Sequence, residues 1–584
     1  MWDYLTAVRD IFGAYMKKIT QYPLFPDKKA LISYFLRIIL SACNFLCLPV
    51  VIFAVFHYLR TEKGLTRAGC RPLPNQVSPI MGCNKEKSTA AAADSYGRAV
   101  KYLGIFGGAQ GVSVLLGMVR NKFASIFLGA AGLGVISLYN RTIQLFSDLT
   151  SLSLSLSAVR RMSDAYDNED ASSVVHCVKV VRSIALLTGI VGMLLLALFA
   201  PLVSCWMSLE GDGCNVLHLV LLSPVVLFMA ISGGELAILR GVKQPAKIAL
   251  YTLWTAVSAV IVTVPLYYVV GAAGIAPAIF IVALLQMGGA LYCSTPLYAY
   301  KASPFSWKLL RQGLDIVKLG AGYIYATILV SGSMWLIYQV INAFDGDEAV
   351  GFFAAGYMFV GMLPSILFAA FDSDYYPRLA GIFANLDKRN AMVNGHIEVH
   401  LFLQVPVILC VVLLLPWLLP FFYREDFLVA LPMAQVAVMA LLFHIMTYPI
   451  SFLPVSKGDT ATFALQETAY NLCFVGLTLL GYYRWGWLGA GVGMALARIL
   501  DLLVVYSIAR LKYSFRLSAR AVGFFAMSLL LGGVVLFSAL NAGKCAWAVP
   551  AGLAALVCSV SVSLYQLSRH SNILSMVTKR IFKK

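Results

Sequence analysis

Long apolar stretches alternate with short polar connections over most of this chain. From Lys101 onward each apolar stretch holds about 20 residues or more, the length that a helix needs to cross the hydrocarbon of a bilayer. The period-two alternation of a membrane β-barrel is absent from the sequence, and in lipid only helices and closed barrels satisfy their backbone hydrogen bonds. The pattern therefore predicts an all-α polytopic membrane protein.

The predicted spans number fourteen. They cover residues 101–127, 135–159, 181–206, 216–240, 246–269, 273–299, 317–342, 349–375, 397–420, 430–453, 460–483, 487–511, 519–541 and 547–568.

Residues 1–99 follow a different pattern. An apolar run at 31–59 contains Arg37, and residues 60–99 form a polar, proline-containing linker with an alanine run. We expect one extra N-terminal apolar helix outside the regular body. An appended helix, a re-entrant segment and a downstream start at Met81 all fit this stretch.

Composition and charge support a membrane location. Hydrophobic residues make up 60% of the chain and charged residues 12%, and the net charge is +18. The basic residues lie in alternate connections, the positive-inside pattern, so both ends of the fourteen-span body should be cytoplasmic. We expect contact with anionic membrane lipids and no nucleic-acid partner. The basic connections include Arg160, Arg161, Lys179, Arg182, Arg240, Lys243, Lys301, Arg378, Lys457, Arg510 and Lys512.

The chain contains an internal repeat. One constant shift in numbering places the second span over the eighth, and a second, nearly equal shift places the sixth over the twelfth. The pairs matched by the first shift are Gly134 with Gly351, Arg161 with Arg378, Asn168 with Asn385, and Asp170 with Asp387, and those matched by the second are Gly271 with Gly486 and Gly274 with Gly489. Their order along the chain favours a duplication.

The repeat predicts two pseudo-symmetric six-helix lobes, residues 100–300 and 301–515. They should be related by an axis along the membrane normal, with a substrate path between them. Residues 516–584 add two C-terminal helices and a basic cytoplasmic tail.

Basic side chains inside the first two spans indicate an anion-binding cavity. A basic group costs about 2.5 kcal/mol or more at the bilayer centre, so it usually faces water or a partner. Guanidinium groups match phosphate oxygens in geometry. We predict that Arg120, Asn121, Lys122 and Arg141 line such a cavity. The alternative for Arg120 and Lys122 is snorkelling near a span end.

A second set of polar residues is a candidate for ion coupling or for counter-ions. The set is Asp148, Glu235, Glu467, Asn471, Arg498 and Asp501. Glu235 has an alternative role as the partner of Arg240, and Arg498 with Asp501 has the spacing of an intrahelical ion pair. Proton and sodium coupling both fit, and no other cofactor is expected.

Two further features receive structural interpretations. His396 and His400 have the i, i+4 spacing of metal ligands but no evident third ligand, so no metal site is predicted. Trp206, Trp335 and Trp485 are interpreted as residues near span ends that form part of the aromatic belt at the membrane interface.

One stretch of the chain is similar to a known family. Residues 117–124 (GMVRNKFA) and 128–134 (LGAAGLG) resemble the multidrug/oligosaccharidyl-lipid/polysaccharide (MOP) exporter superfamily. Within that superfamily the chain looks like the bacterial flippases of O-antigen and other polysaccharide repeat units. The resemblance covers about residues 98–515. In related lipid II flippases an acidic residue follows the arginine, whereas Asn121 follows Arg120 here.

The resemblance implies a two-lobed, MATE-like flippase in the bacterial inner membrane. Its substrate would be an undecaprenyl-diphosphate-linked oligosaccharide, moved by alternating access, with polysaccharide polymerases and glycosyltransferases as partners. It would not be an enzyme. A drug/cation antiporter of the same fold is the alternative, but such a cavity should favour carboxylates. A polymerase or glycosyltransferase should show a large external loop or a carboxylate motif, and a scaffold would need no buried charges.

Overall fold

The computed structural model describes residues 85–150, 154–167, 171–207, 214–302, 321–367, 369–541 and 547–570, and the predicted apolar run at 31–59 lies outside them. The chain divides into two compact units, Met1–Gly97 and Arg98–Lys584. The described residues are helical, as predicted. The helices are α1 Lys85–Thr150, α2 Leu154–Asp167, α3 Ala171–Met207, α4 Cys214–Gly241, α5 Pro245–Val270, α6 Ile275–Ser294, α7 Ala321–Leu367, α8 Ala369–Ile382, α9 Leu386–Phe422, α10 Leu431–Met439, α11 Leu441–Lys457, α12 Thr460–Tyr513, α13 Ala519–Leu540 and α14 Ala548–His570.

Ten helical stretches of the described residues are long and apolar enough to cross a membrane. Four of them are too long for one crossing, with 43 to 54 residues each: Gly108–Thr150, Pro245–Ser294, Gly322–Pro364 and Thr460–Tyr513. At a rise of about 1.5 Å per residue even the shortest measures about 65 Å, roughly twice the hydrocarbon thickness. Each must therefore fold back, and two spans in each of these four account for the fourteen predicted spans.

A glycine breaks each of the four long stretches. Gly129, Gly271, Gly346 and Gly486 have φ values of 68°, 66°, 76° and 58°. This left-handed region is readily open to glycine and costly for residues with a Cβ atom. By helix alternation the four glycines lie at one end of the bundle, which we call the glycine end.

Contacts across these glycines show that the chain reverses. The rings of Tyr338 and Phe353, on either side of Gly346, lie 5.3 Å apart. A methyl group on Gly481 would overlap with the carbonyl oxygen of Gly489, on the other side of Gly486. Two residues at similar sequence distances before and after a turn lie next to each other only when the chain forms an antiparallel hairpin.

The backbone reproduces the spacing of the sequence repeat. Gly129 and Gly346 are related by the first shift and share nearly the same ψ, −165° and −175°. Gly271 and Gly486 are related by the second shift, with ψ values of −139° and −138°. Equal conformations at repeat-related positions support two lobes of common origin. We call α1–α6 the N-lobe and α7–α12 the C-lobe.

The two lobes meet at Gly134 and Gly351. A methyl group on Gly134 would overlap with the carbonyl oxygen of Asp347, and one on Gly351 would overlap with that of Ala130. Ala130 and Asp347 are themselves related by the same shift as the two glycines. The contact is therefore reciprocal, as at a two-fold interface, and the pseudo-two-fold axis passes through it.

The last two helices pack on the C-lobe. Gly532 of α13 lies against Met439 and Leu442, and Gly552 of α14 lies against Leu413 of α9. Neither helix has a counterpart in the repeat, so together they extend one lobe only.

Candidate functional site

Arg120 faces the protein interior. Its side chain is partly buried, lies 3.5 Å from the side-chain oxygen of Asn121, and is within electrostatic range of Tyr267 and Tyr423. Both tyrosines are 4% exposed. Arg120 thus bonds to Asn121, which itself reaches Tyr423 of the C-lobe, whereas a snorkelling arginine would extend towards headgroups.

Asn121 and Lys122 tie the N-lobe to the C-lobe. The Lys122 ammonium donates hydrogen bonds to the carbonyl oxygens of Pro420, at 2.7 Å, and Tyr423, at 2.6 Å. These carbonyls lie at the C-terminus of α9, where the helix dipole favours a cation. The Asn121 amide lies 3.3 Å from the Tyr423 hydroxyl. Lys122 is thus held in a lobe-to-lobe contact at the glycine end.

Arg141 also reaches the other lobe. Its guanidinium carbon lies 5.1 Å from the centre of the Tyr338 ring on α7, a cation–π contact. Tyr338 is 2% exposed, whereas Arg141 is partly exposed. The guanidinium therefore remains accessible to a ligand while the ring fixes its position.

Asp148 follows on the same face of α1 and contacts the same partner helix. It accepts two hydrogen bonds of 2.9 Å from Gln144 and a further one from the Ser331 hydroxyl on α7. One turn away, the Trp335 indole donates to the Thr142 hydroxyl at 3.1 Å. Trp335 therefore lies at the lobe contact, which corrects its prediction as an interface-belt residue.

Glu235 pairs with Arg182, and not with Arg240 as the sequence suggested. Arg182 donates to both carboxylate oxygens, at 2.7 and 2.9 Å, and each side chain is 1% exposed. Arg182 also donates to the carbonyl oxygens of Tyr298 and Ala299, just after α6. The sequence placed Arg182 among loop cations, so this buried network was missed. It joins α3, α4 and the segment that leaves the N-lobe.

The C-lobe candidates gather around Arg498 on α12. Its guanidinium lies 3.6 Å from Asp501, as the sequence spacing allowed, and 4.4 Å from the centre of the Tyr470 ring. It lies 3.1 Å from Nδ1 of His444, on α11. Glu467 is within electrostatic range of Arg498 and Asp501.

Asn471 lies beside this group. Its amide donates to the backbone carbonyl of Glu467 at 2.9 Å. His444 was missed from the sequence because a single histidine in an apolar span has no partner spacing to mark it.

Tyr357, a half-buried residue of α7, lies between the arginines of the two lobes. It stacks on Phe353, which packs on the ring under Arg141, and it lies beside Phe474, which packs on the ring under Arg498. We call Arg120, Arg141 and Arg498, with the tyrosines between them, the inter-lobe arginine site. Arg498 comes from the set predicted for ion coupling, and Tyr338, Tyr357, Tyr423 and Tyr470 were not predicted at all. Tyrosine in the middle of a span, away from the interface belt, was the signal available in the sequence.

Comparison with known families and structures gives a consistent result. Residues 100–383, just under half of the chain, match the family described as Polysaccharide biosynthesis protein. Comparison with curated protein sequences finds no match.

Three solved structures of similar fold are a lipid II flippase MurJ in an inward closed conformation and a MATE-family multidrug resistance transporter in inward- and outward-facing conformations. Each is 14% identical to this chain. MurJ gives a TM-score of 0.60 over 79% of this chain and 99% of its own length. The inward-facing transporter gives 0.57 over 69% and 94%, and the outward-facing one 0.52 over 71% and 96%. The resemblance to the MOP exporters that the sequence indicated is confirmed, and the helices have the fold of that superfamily.

Proposed function

Because the chain is a multi-pass membrane protein with the fold of the MOP exporters, and because residues 100–383 match a polysaccharide biosynthesis family, we propose that it is a flippase for undecaprenyl-diphosphate-linked oligosaccharides. The single observation that carries the proposal is the row of packed aromatic rings, with Tyr357 at its middle, that lies between Arg141 of the N-lobe and Arg498 of the C-lobe. Arg120 completes a cationic group between the lobes.

The charges suit an anionic headgroup. A diphosphate that links a lipid to a sugar carries two negative charges, and arginine forms paired hydrogen bonds with phosphate oxygens. The tyrosine rings beside the arginines offer apolar faces and hydroxyl groups, which suit sugar rings. The lipid tail would stay in the bilayer between the lobes. Translocation of this kind requires no covalent chemistry, so we propose a transporter and not an enzyme.

Alternating access fits the lobe contacts. In this structure Lys122, Asn121 and Asp148 bond to the C-lobe, and Gly134 packs against it near the glycine end. We propose that the glycine end faces outward from the bacterial inner membrane, with the basic connections in the cytoplasm. Opening of the glycine end would require the hydrogen bonds of Lys122 and Asn121 to the C-lobe to break. The inter-lobe arginine site would then be exposed to the outer face of the membrane.

We place ion coupling in the C-lobe. The carboxylates of Glu467 and Asp501 lie near Arg498, so a change in their charge would act on an arginine of the proposed substrate site, and Asn471 bonds the backbone of Glu467 beside them. In the N-lobe, the described contacts of Glu235 are those of a satisfied ion pair. We therefore assign Glu235 a structural role and keep Glu467 and Asp501 as coupling candidates. Polymerases and glycosyltransferases that act on the same lipid-linked substrate are proposed partners.

A flipping assay with purified protein in liposomes tests this proposal. The probe is undecaprenyl-diphosphate-linked N-acetylglucosamine with a fluorophore that an impermeant reductant bleaches from one side only. We expect three variants, Arg120→Gln, Arg141→Gln and Arg498→Gln, each to slow flipping at least about tenfold. The reason is that each variant loses one charge-assisted contact, and about 1.4 kcal/mol of lost stabilisation lowers a rate tenfold. Arg484→Gln is the matched control, since Arg484 is exposed at the glycine end.

The alternative is a MATE-type drug/cation antiporter. In the same liposomes it predicts ion-driven transport of ethidium, a cation, and no flipping of the lipid probe. That outcome, or unchanged flipping in all three arginine variants, rejects the proposed function. In cells, deletion should cause cytoplasm-facing lipid-linked glycan to accumulate, and Arg120→Ala should reproduce this without loss of protein from the membrane.

A further inference from the structure

His444 makes a contact that depends on its protonation state. Its Nδ1 atom lies 3.1 Å from a terminal nitrogen of Arg498. Arginine only donates hydrogen bonds, so the imidazole nitrogen that faces it must be the acceptor and carry no proton. A proton on Nδ1 would turn the acceptor into a donor and set two positive charges side by side. The protonated imidazole and the present position of Arg498 therefore exclude each other.

The surroundings limit where the guanidinium can go. The Tyr470 ring closes one side at 4.4 Å, and Asp501 lies 3.6 Å away on the same helix as Arg498. The Tyr470 ring packs on Phe474, which lies beside Tyr357 of the inter-lobe arginine site. We expect a guanidinium displaced from His444 to move along these rings towards that site.

Several helices around His444 carry other titratable groups. Helix α10 holds no titratable residue, and α13 holds only Arg520, in its first turn. The neighbours that α8, α9, α11 and α12 contribute are Tyr375, His396, His400, Tyr448, Glu467, Tyr470, Arg498 and Asp501. A terminal nitrogen of Arg498 lies within hydrogen-bond distance of the His444 ring, so the charge of His444 bears directly on Arg498.

We propose that His444 is a positioning residue that holds Arg498 back from the substrate site and releases it on protonation, which links headgroup binding to pH. The inference rests on the proposed flippase function. It assigns a role to a residue that the transport mechanism does not otherwise use. Since coupling between two bound species is reciprocal, headgroup binding would in turn favour the protonated imidazole.

A binding measurement on the full-length protein in detergent tests the link. The probe is undecaprenyl-diphosphate-linked N-acetylglucosamine, whose esterified diphosphate keeps its charge throughout the range used. Dissociation constants are compared at about pH 4.5 and about pH 7.5, a range that extends well below the ordinary histidine value of about 6.5 because the positive charge of Arg498 opposes protonation of the neighbouring ring. The wild-type protein should bind about tenfold more tightly at the lower pH, a typical size for coupling between two sites.

Variants identify the residue responsible. His444→Gln retains an acceptor for Arg498 but does not titrate, so its affinity should be the same at both pH values. Arg498→Gln should bind weakly and equally at both. His218→Gln is the matched control, because His218 also lies in a span and bonds a hydroxyl, that of Tyr139, at 3.1 Å. This control and His400→Gln should keep the wild-type pH dependence.

The outcomes separate the two proposals. No binding of the probe by the wild-type protein at either pH rejects the flippase function. Binding that does not depend on pH, or a pH dependence that survives in His444→Gln, overturns the role of His444 and leaves the function standing. Nitrogen-15 NMR of labelled histidine gives a readout without substrate. At about pH 7.5 the His444 signal should be that of a neutral ring with Nδ1 unprotonated, and a proton on Nδ1 contradicts the proposal.

Discussion

The ammonium group of Lys122 lies 2.6 Å from the carbonyl oxygen of Tyr423 and joins the two lobes at the glycine end. The second bond of this group, to Pro420, measures 2.7 Å. Both acceptors lie at the C-terminus of α9, where backbone carbonyls lack partners within their own helix. A single side chain of the N-lobe thus caps a helix of the C-lobe.

Loss of this cap should loosen the glycine end. Lys122→Met keeps the length of the side chain and removes the hydrogen-bond donors. The loss of a hydrogen bond from a charged group should destabilise the lobe contact by about 1.5 kcal/mol or more. Amide hydrogen exchange should accelerate about tenfold in the last turn of α9 and in the short helix Glu425–Ala430. Arg424→Met is the control, because Arg424 pairs with Asp426 at the same end and both are largely exposed. Unchanged exchange in Lys122→Met contradicts the cap.

The reciprocal glycine contact predicts two equal effects. Gly134→Ala and Gly351→Ala each place a methyl group on a backbone carbonyl of the opposite lobe. Because backbone cannot yield as a side chain tip does, each should destabilise the protein by about 2 kcal/mol, as overpacking typically does. Thermal unfolding in detergent measures this. Gly111→Ala, where the added methyl meets no atom within 4 Å, should leave the melting temperature nearly unchanged. A large effect at one glycine only would argue against a two-fold contact.

The Arg182–Glu235 pair predicts a strong effect from a change at one partner. Glu235→Gln leaves the buried guanidinium without its counter-charge, which should cost about 3 kcal/mol. The double variant Arg182→Met with Glu235→Leu removes both charges and should recover part of the melting temperature. If the single variant melts like the wild type, the pair does not stabilise the N-lobe.

Asp459 gives the protein a predictable pH response. It lies between α11 and α12, and its carboxylate accepts hydrogen bonds from Lys512 at 2.6 Å and from the Tyr513 hydroxyl at 2.8 Å. These contacts, the Lys512 ammonium first, hold the pKa of Asp459 well below its usual range. The folded state therefore favours the ionised form. The stability that this gives is present above the unfolded value of about pH 3.9 and is lost as the pH falls towards the folded-state value.

Two variants separate the ion pair from the helix cap. Asp459 also caps α12 by accepting from the Thr462 amide at 3.2 Å, and asparagine caps equally well. Asp459→Asn should lose about 0.5 kcal/mol at neutral pH, the usual size for a pair exposed to solvent. Asp459→Ala should lose about 1 kcal/mol more. The difference between wild type and Asp459→Asn, from unfolding at several pH values, should narrow below about pH 4. A constant difference would show that the charge is not responsible.

The sequence by itself determined the membrane helices and indicated their duplication and the superfamily whose fold they adopt. Span length and apolarity are local properties, because lipid obliges each segment to satisfy its own backbone. The repeat was visible in pairs such as Gly134 with Gly351 and Gly271 with Gly486. The first pair lies where backbones approach closely, and the second has a conformation that glycine adopts most readily. The sequence also marked Arg120 and Arg141, since charge within an apolar span is costly wherever the span packs.

Only the tertiary structure decided which residues meet. Arg141 and Arg498 lie at the two ends of a row of aromatic rings that includes Tyr357. His444 faces Arg498, and Glu235 pairs with Arg182 and not with Arg240, which is nearer in sequence. These partners lie on different helices, and their pairing depends on how each helix is rotated about its axis within the bundle. Helix rotation is set by packing, such as that of Gly134 against Asp347, and a hydrophobic pattern that is apolar on every face carries little information about it.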